Sequence, residues 1–143
     1  MSFDLKIVSG DLSLQSGDFR VVKDSEKLIQ DILKIALTEA GSNVMNPWYG
    51  SFISRSLIGS ALDTSIILQV GQSQLQNALE NLKTLQKSQV ESFQNVSADE
   101  QINSILDISL TRNQNDFRRF DVKIRVLSKG LKPITTAFTV STI

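Results

Sequence analysis

The amino-acid sequence predicts an α+β fold, with an N-terminal β-hairpin, two main helices and a C-terminal three-stranded antiparallel meander packed on the helices. Three observations favour it. Apolar and charged residues alternate near the N-terminus, apolar residues recur at helical spacing in the middle, and alternation returns in the last third. No linker, low-complexity tract or internal repeat divides the chain, so we expect residues 1–143 to form one domain.

The N-terminal part predicts short strands followed by a helix. Apolar residues alternate with charged ones from Phe3 to Ile7, and a turn at 9–11 precedes the second strand of the hairpin. A third short extended segment is expected at 19–22, ahead of a helix over about 25–39. Asp24 is predicted to be the N-cap of this helix, and the glycine at position 41 ends it.

The middle of the chain predicts a second, longer helix. Phe52 to Leu62 is weakly helical, and Asp63 then precedes a stretch in which apolar residues repeat at helical spacing up to Leu85. Gly71 lies inside this stretch, where glycine disfavours a helix by about 1 kcal/mol, so a kink or break is expected there.

The last third predicts three antiparallel strands with one apolar face. In the first strand the even positions carry the apolar residues Ile102, Leu106, Ile108 and Leu110. In the second, Phe120 to Val126 alternate with charged residues, and in the third Ile134, Phe138 and Val140 share a face. The two ends of such a meander leave strand edges with unpaired backbone groups, which another chain can use.

The composition disfavours most catalytic and cofactor chemistry. The chain has no cysteine and no histidine, so disulfides, thiolate nucleophiles, common zinc sites and the usual general base are absent, and no cofactor or metal is expected. Fifteen basic residues balance fifteen acidic ones, which gives no net field to attract nucleic acid. No apolar run is long enough for a membrane span, and no secretory signal is visible at the start.

The end of the first predicted helix and the loop after it follow a pattern of Leu-Thr, Gly, Pro, aromatic and Gly-Ser. The residues that form this pattern are Leu37, Thr38, Gly41, Pro47, Tyr49, Gly50 and Ser51. The pattern resembles that of the baseplate wedge or sheath-initiator family of contractile phage tails, which is also called lysozyme-like and has a counterpart in type VI secretion. The family also has Glu-Pro-Arg before the first strand of its C-terminal sheet. Here Asp99 keeps the acidic position, Glu100 stands at the proline and Gln101 at the arginine.

The resemblance implies a structural protein that is not an enzyme. Such a protein links the baseplate wedge to the first sheath ring and initiates sheath assembly by strand exchange. The implied partners are the sheath protein and wedge proteins, in several copies around a ring. The implied location is the virion tail baseplate, with the host cytoplasm during assembly.

Two alternatives remain at this point: a small lysozyme-like hydrolase, and a nucleic-acid adaptor that uses the basic hairpin of the last third. The chain's single Trp lies in the loop, where Trp48 and Tyr49 either pack on the core or anchor a partner. The residues predicted to contact partners are Pro47, Trp48, Tyr49, Asp99, Gln101, Arg119, Lys123, Arg125, Ile134, Phe138 and Val140.

Overall fold

A computed structural model describes residues 2–57 and 63–141, and it confirms the α+β class. Three helices are present: α1 (Asp24–Leu37), α2 (Ile53–Leu57) and α3 (Thr64–Glu91). A 3₁₀ turn at Ala98–Glu100 leads into the C-terminal sheet, whose strands are β7 (Ile102–Arg112), β8 (Arg119–Ser128) and β9 (Pro133–Ser141). In the described ranges no helix is long and apolar enough to cross a lipid bilayer.

The N-terminal segment contains more than the predicted hairpin. Its six two-residue strands are β1 (Asp4–Leu5), β2 (Ile7–Val8), β3 (Asp11–Leu12), β4 (Leu14–Gln15), β5 (Asp18–Phe19) and β6 (Val21–Val22). They pair in a ring, because β2 pairs with β3, β4 with β5, and β6 returns to β1. We call residues 4–22 the N-terminal tripod.

The tripod follows a repeat of seven residues, so the prediction that the chain has no internal repeat is wrong. The segments DLKIVSG, DLSLQSG and DFRVVKD begin at residues 4, 11 and 18. At the third position of each segment, backbone N–H groups and carbonyls of Lys6, Ser13 and Arg20 bond one another in a closed cycle. Ser-Gly forms both two-residue turns, with positive φ at each residue, as a type I′ turn requires.

Helix α1 differs from its prediction at both ends. Asp24 is its first residue and lies at φ 51°, with Lys23 at the cap position, so Asp24 is not the N-cap. The Asp24 carboxylate instead accepts a hydrogen bond of 2.8 Å from the Ser97 hydroxyl. The helix ends at Leu37 because Thr38 is extended, and the following segment pairs with Ser51 through a parallel bridge.

Helices α2 and α3 complete the helical layer. The predicted weak helix at 52–62 is present over Ile53–Leu57, and residues 58–62 lie outside the described residues. The helix does not break at Gly71, since α3 runs without interruption from Thr64 to Glu91. Gly71 is buried, and a Cβ there would lie 2.8 Å from a methyl group of Leu110. This glycine therefore permits close packing of α3 on the sheet.

The C-terminal sheet has the predicted antiparallel order β7-β8-β9. Its register with β8 shifts twice within β7, which leaves Asn103 and Leu106 without a partner. Leu106 is therefore exposed, and Ile105 packs against the core in its place. The prediction that Leu106 shares the apolar face is wrong because each shift reverses the alternation.

One hydrophobic core lies between the sheet and the helices. Helix α1 contributes Leu28, Ile32 and Ile35, and α3 contributes the stripe that includes Leu75 and Leu79. From the sheet come Ile102, Ile108, Leu110, Phe120, Val122, Ile124, Val126, Ile134 and Val140. The inner sheet face is thus occupied within the monomer, and new contacts have to use the outer face, the edges or the loops.

Candidate functional site

The loop between α1 and α2 divides its two aromatic residues between core and solvent. Tyr49 is half-buried and packs against the core, whereas Trp48 is 45% exposed. Their rings meet edge to face with centroids 6.1 Å apart. Val44 and Met45, which sequence analysis did not single out, are 89% and 86% exposed at the tip of this loop. Pro47 is also exposed, so the loop presents an apolar surface that ends in Trp48.

The base of the loop is fixed by backbone contacts with the end of α1. The Ser51 N–H donates to the Thr38 carbonyl at 2.8 Å, and the Ala40 N–H donates to the Ser51 carbonyl at 3.0 Å. Gly50 has φ 119°, and a Cβ there would lie 2.5 Å from the Thr38 carbonyl oxygen. Only glycine fits this position without a shift of the backbone. The exposed loop tip is therefore held on a rigid base.

The segment Asp99–Gln101 forms polar contacts with the turn between β8 and β9. Asp99 forms an ion pair of 2.6 Å with Lys132, and Gln101 accepts a hydrogen bond of 2.8 Å from Lys129. Glu100 is fully buried and accepts from its own segment and from the Ser2 hydroxyl at 2.8 Å. Ser97 and Glu100 form a capping box at the start of the 3₁₀ turn. Asp99 and Gln101 are thus already engaged within the monomer.

Two glutamine side chains of α3 bond backbone groups at and just before the outer edge of β7. The Gln72 amide donates to the Ile108 carbonyl at 2.8 Å. Gln86, which is buried, donates to the Glu100 carbonyl at 2.8 Å and accepts from the Ile102 N–H at 2.9 Å. These backbone groups are therefore not available to an incoming strand. A glutamine on an otherwise apolar stripe was the sequence signal for this contact, and sequence analysis missed it.

The outer edge of β9 is open. The Ser128 N–H donates to the Lys132 carbonyl, which makes these two residues a hydrogen-bonded pair. Along the β8–β9 ladder, hydrogen-bonded and non-hydrogen-bonded pairs then alternate. Thr135, Ala137 and Thr139 consequently direct their backbone groups away from β8. Helix α1 contacts β9. Among the described residues, however, the backbone of β9 forms no hydrogen bond outside the sheet.

The other predicted residues of the sheet lie on two different faces. Ile134 and Val140 are buried in the core and Phe138 packs against it, so partners can reach this strand through its backbone. Arg119, Lys123 and Arg125 lie on the exposed outer face of β8. Arg119 forms an ion pair of 3.3 Å with Asp116.

A charged network connects the tripod to α1. The Lys34 ammonium lies 2.5 Å from the carboxylate of Asp4 and 3.2 Å from that of Asp31. Burial opposes ionisation of Asp4, but hydrogen bonds from Lys34 and Gln30 outweigh it, so the pKa of Asp4 is lowered. Burial alone would lower the pKa of Lys34, yet the two carboxylates raise it. Burial raises the pKa of nearby Tyr49. The network thus keeps Asp4 and Lys34 ionised and paired, as expected for an ion pair that stabilises the fold.

The tripod exposes an apolar surface that sequence analysis missed. Most of its apolar side chains are at least one-third exposed, and only Val22 is buried among those described. The exposed ones are Leu5, Ile7, Val8, Leu12, Leu14, Phe19 and Val21, with Phe3 beside them. The seven-residue repeat was the available signal, because it places equivalent apolar residues on each arm.

No protein-family model and no curated protein matches this chain. Among solved structures, the fold is similar to that of a candidate tail lysozyme from Geobacter sulfurreducens, with a TM-score of 0.60. The two chains are 16% identical, and the superposition covers 93% of this chain and 97% of the other. The likeness extends over nearly the whole of both chains, and at this identity it shows the fold alone.

Proposed function

We propose that this chain is a structural component of a contractile-tail baseplate that links the wedge to the first sheath ring and initiates sheath assembly by strand exchange. The observation that carries the proposal is the open edge of β9, in a sheet whose other edge strand, β7, carries hydrogen bonds with α3 side chains at Ile108 and Ile102. Two further points support it: the loop pattern from Leu37 to Ser51, and the fold likeness to a protein named for a tail.

Strand exchange is proposed at β9 because its backbone is suited to accept another strand. Thr135, Ala137 and Thr139 direct N–H and C=O groups outward, and their side chains are small and exposed. An added strand gains main-chain hydrogen bonds from such an edge, whichever side chains it carries. The sheath protein is the proposed donor of that strand.

Wedge proteins are proposed to bind elsewhere on the chain. The exposed loop of Val44, Met45 and Trp48 supplies an apolar anchor, since Trp commonly contributes much of the binding energy at interfaces. Asp99 and Gln101, whose side chains are already paired with Lys132 and Lys129, are proposed to position the adjoining surface for a wedge protein. We place the protein in the virion tail baseplate, in several copies around a ring, with assembly in the host cytoplasm.

The test is co-purification with the tail proteins encoded beside this chain, using Ala137→Pro. Proline at this position removes an outward N–H but leaves the β8–β9 hydrogen bonds in place. The matched control is Ala98→Pro at the exposed start of the 3₁₀ turn, where proline is tolerated. We expect Ala137→Pro to lose the sheath protein and keep wedge proteins, and Ala98→Pro to keep both. Sheath capture that is equal in both variants would refute strand pairing at β9.

A hydrolase is the second candidate, favoured by the word lysozyme in the name of the similar structure. We propose that this chain has no such activity. Asp4 has a lowered pKa, whereas a general acid in glycoside hydrolysis needs a raised one. Release of soluble fragments from purified peptidoglycan, abolished by Asp4→Asn or Asp31→Asn, would contradict this.

A nucleic-acid adaptor that used the basic hairpin would need aromatic rings beside it on which bases can stack, and Phe117 and Phe120 are the two rings there. Phe120 is buried in the core and Phe117 is exposed, with the Arg112 guanidinium 5.9 Å from its ring centroid. A single exposed ring offers little stacking surface for bases. We therefore propose that nucleic acid is not a partner, and binding of an oligonucleotide that weakens steeply with salt would contradict this.

A further inference from the structure

A cleft of about 210 Å³ lies between the outer face of α3 and the turn that joins β8 to β9. It is separate from the β9 edge and from the apolar loop tip. The residues that line it are Glu80, Lys83, Thr84, Gln86, Lys87, Gln101, Ile102 and Lys129.

The rim of the cleft carries an excess of positive charge. Three lysines, Lys83, Lys87 and Lys129, face a single carboxylate, that of Glu80. Within the part of the chain that the structure describes, Lys83 forms no ion pair. Lys87 has only an exposed contact of 3.9 Å with Glu91. The charges at the rim are therefore not neutralised within the monomer.

The floor of the cleft is neutral and fixed. Gln86 and Gln101 are both buried, and each uses both ends of its side-chain amide in hydrogen bonds within the monomer. Ile102 is buried beside them. A ligand in the cleft consequently finds its strongest partners in the ammonium groups of the rim, and these favour carboxylates.

We propose that this cleft binds an acidic segment of a wedge protein. Lys83 and Lys87 are one helical turn apart, so their ammonium groups can contact carboxylates spaced at one turn of a helix or two residues of a strand. Lys129 approaches from the opposite wall. The identity of the partner rests on the proposed function, whereas the acidic chemistry of the segment rests on the cleft itself.

The test is titration of fluorescein-labelled hexaglutamate into the full chain, with Lys83→Glu/Lys87→Glu as the variant. Both side chains lie on the helix surface, and the weak Lys87 contact is the one ion pair lost, so the fold is expected to persist. We expect the variant to weaken peptide binding about tenfold or more, because two attractions become repulsions. Salt should weaken binding to the unchanged chain.

The matched control is Arg20→Glu/Lys23→Glu, which changes the net charge equally at two exposed residues outside the cleft, one in the tripod and one at the start of α1. The proposal predicts little change in peptide binding for the control. Equal loss in both variants, or no loss in either, would overturn it. A single-stranded oligonucleotide provides a further check. The proposal would also be overturned if Lys83→Glu/Lys87→Glu weakened oligonucleotide binding more than it weakened hexaglutamate binding.

Co-purification separates this inference from the proposed function. If Lys83→Glu/Lys87→Glu loses wedge proteins while the sheath protein remains bound, both stand. If hexaglutamate binds as expected but no tail protein co-purifies with the unchanged chain, the cleft chemistry stands and the tail function fails. If tail proteins co-purify and the variant retains the wedge proteins, the tail function stands and the inference about the cleft fails.

Discussion

Replacing Gln86 by alanine is expected to destabilise the fold more than any other single glutamine change on α3. Gln86 is buried and forms hydrogen bonds of 2.8 Å with the Glu100 carbonyl and 2.9 Å with the Ile102 N–H. Both backbone groups would lose their partner, and an unsatisfied buried group costs roughly 1–3 kcal/mol. We therefore expect the free energy of unfolding to fall by about 3 kcal/mol, which for this size corresponds to a Tm lower by about 10 °C.

Urea denaturation followed by circular dichroism measures this change, and a calorimetric scan gives the Tm. The control is Gln76→Ala on the same helix, where the exposed side chain has one hydrogen bond of 3.5 Å to Glu80. It should alter the free energy of unfolding by less than about 0.5 kcal/mol. A loss below about 1 kcal/mol for Gln86→Ala would refute the argument that this side chain holds the start of β7.

Four further predictions concern the tripod contact and the loop. The pKa of Asp4 in the folded protein is lowered below 3.8. The ionised carboxylate therefore stabilises the fold above the unfolded-state pKa, and this stabilisation is lost as pH falls through the folded-state pKa. Asp4→Asn should accordingly weaken the dependence of the free energy of unfolding on pH in acid. Lys34 has a raised pKa, and its contribution should be lost in alkali as pH rises through the folded value above 10.5. Trp48→Ala should lower the free energy of unfolding, measured by urea denaturation, by only about 1–2 kcal/mol, because the ring is 45% exposed. By the same measurement, Gly50→Ala should lower the free energy of unfolding by more than about 2 kcal/mol. Gly41→Ala should lower it by about 1 kcal/mol, because the space around Gly41 is open.

The sheet was predictable because its alternation is nearly uninterrupted in β8 and β9. Phe120, Val122, Ile124 and Val126 are all buried, as a period of two requires. In β7 the same reasoning failed at Leu106, since the first of two bulges moves this residue to the outer face and the second restores the predicted face at Ile108. Bulges depend on how two strands fit together, and the alternation of a single strand does not reveal them.

The N-terminal tripod was visible in the sequence but was interpreted too locally. The turn residues and the alternation correctly predicted short strands, whereas the closed pairing of β6 with β1 needs contacts across the whole segment. Comparison of the segments at a spacing of seven residues would have indicated three equivalent units. Its exposed apolar side chains were missed because alternation alone favours one buried face, whereas the repeat places equivalent apolar residues on each arm.

The candidate site was predictable in kind and not in detail. The sequence indicated an exposed strand edge, but it did not indicate which one, because the side chains of Gln72 and Gln86 reach β7 from a helix far along the chain. Similarly, the sequence does not show that Lys129 faces Lys83 and Lys87 across a cleft. Both features are products of tertiary packing.

Hydrogen–deuterium exchange at the amides of β9, in the free protein and in the presence of the sheath protein, tests the central claim most directly. The N–H groups of Thr135, Ala137 and Thr139 point away from β8 and should exchange rapidly in the free protein. Strand pairing predicts that the sheath protein slows their exchange strongly, while the edge of β7 near Ile108 changes little. Exchange at all three amides that is unchanged by a bound sheath protein would contradict the account.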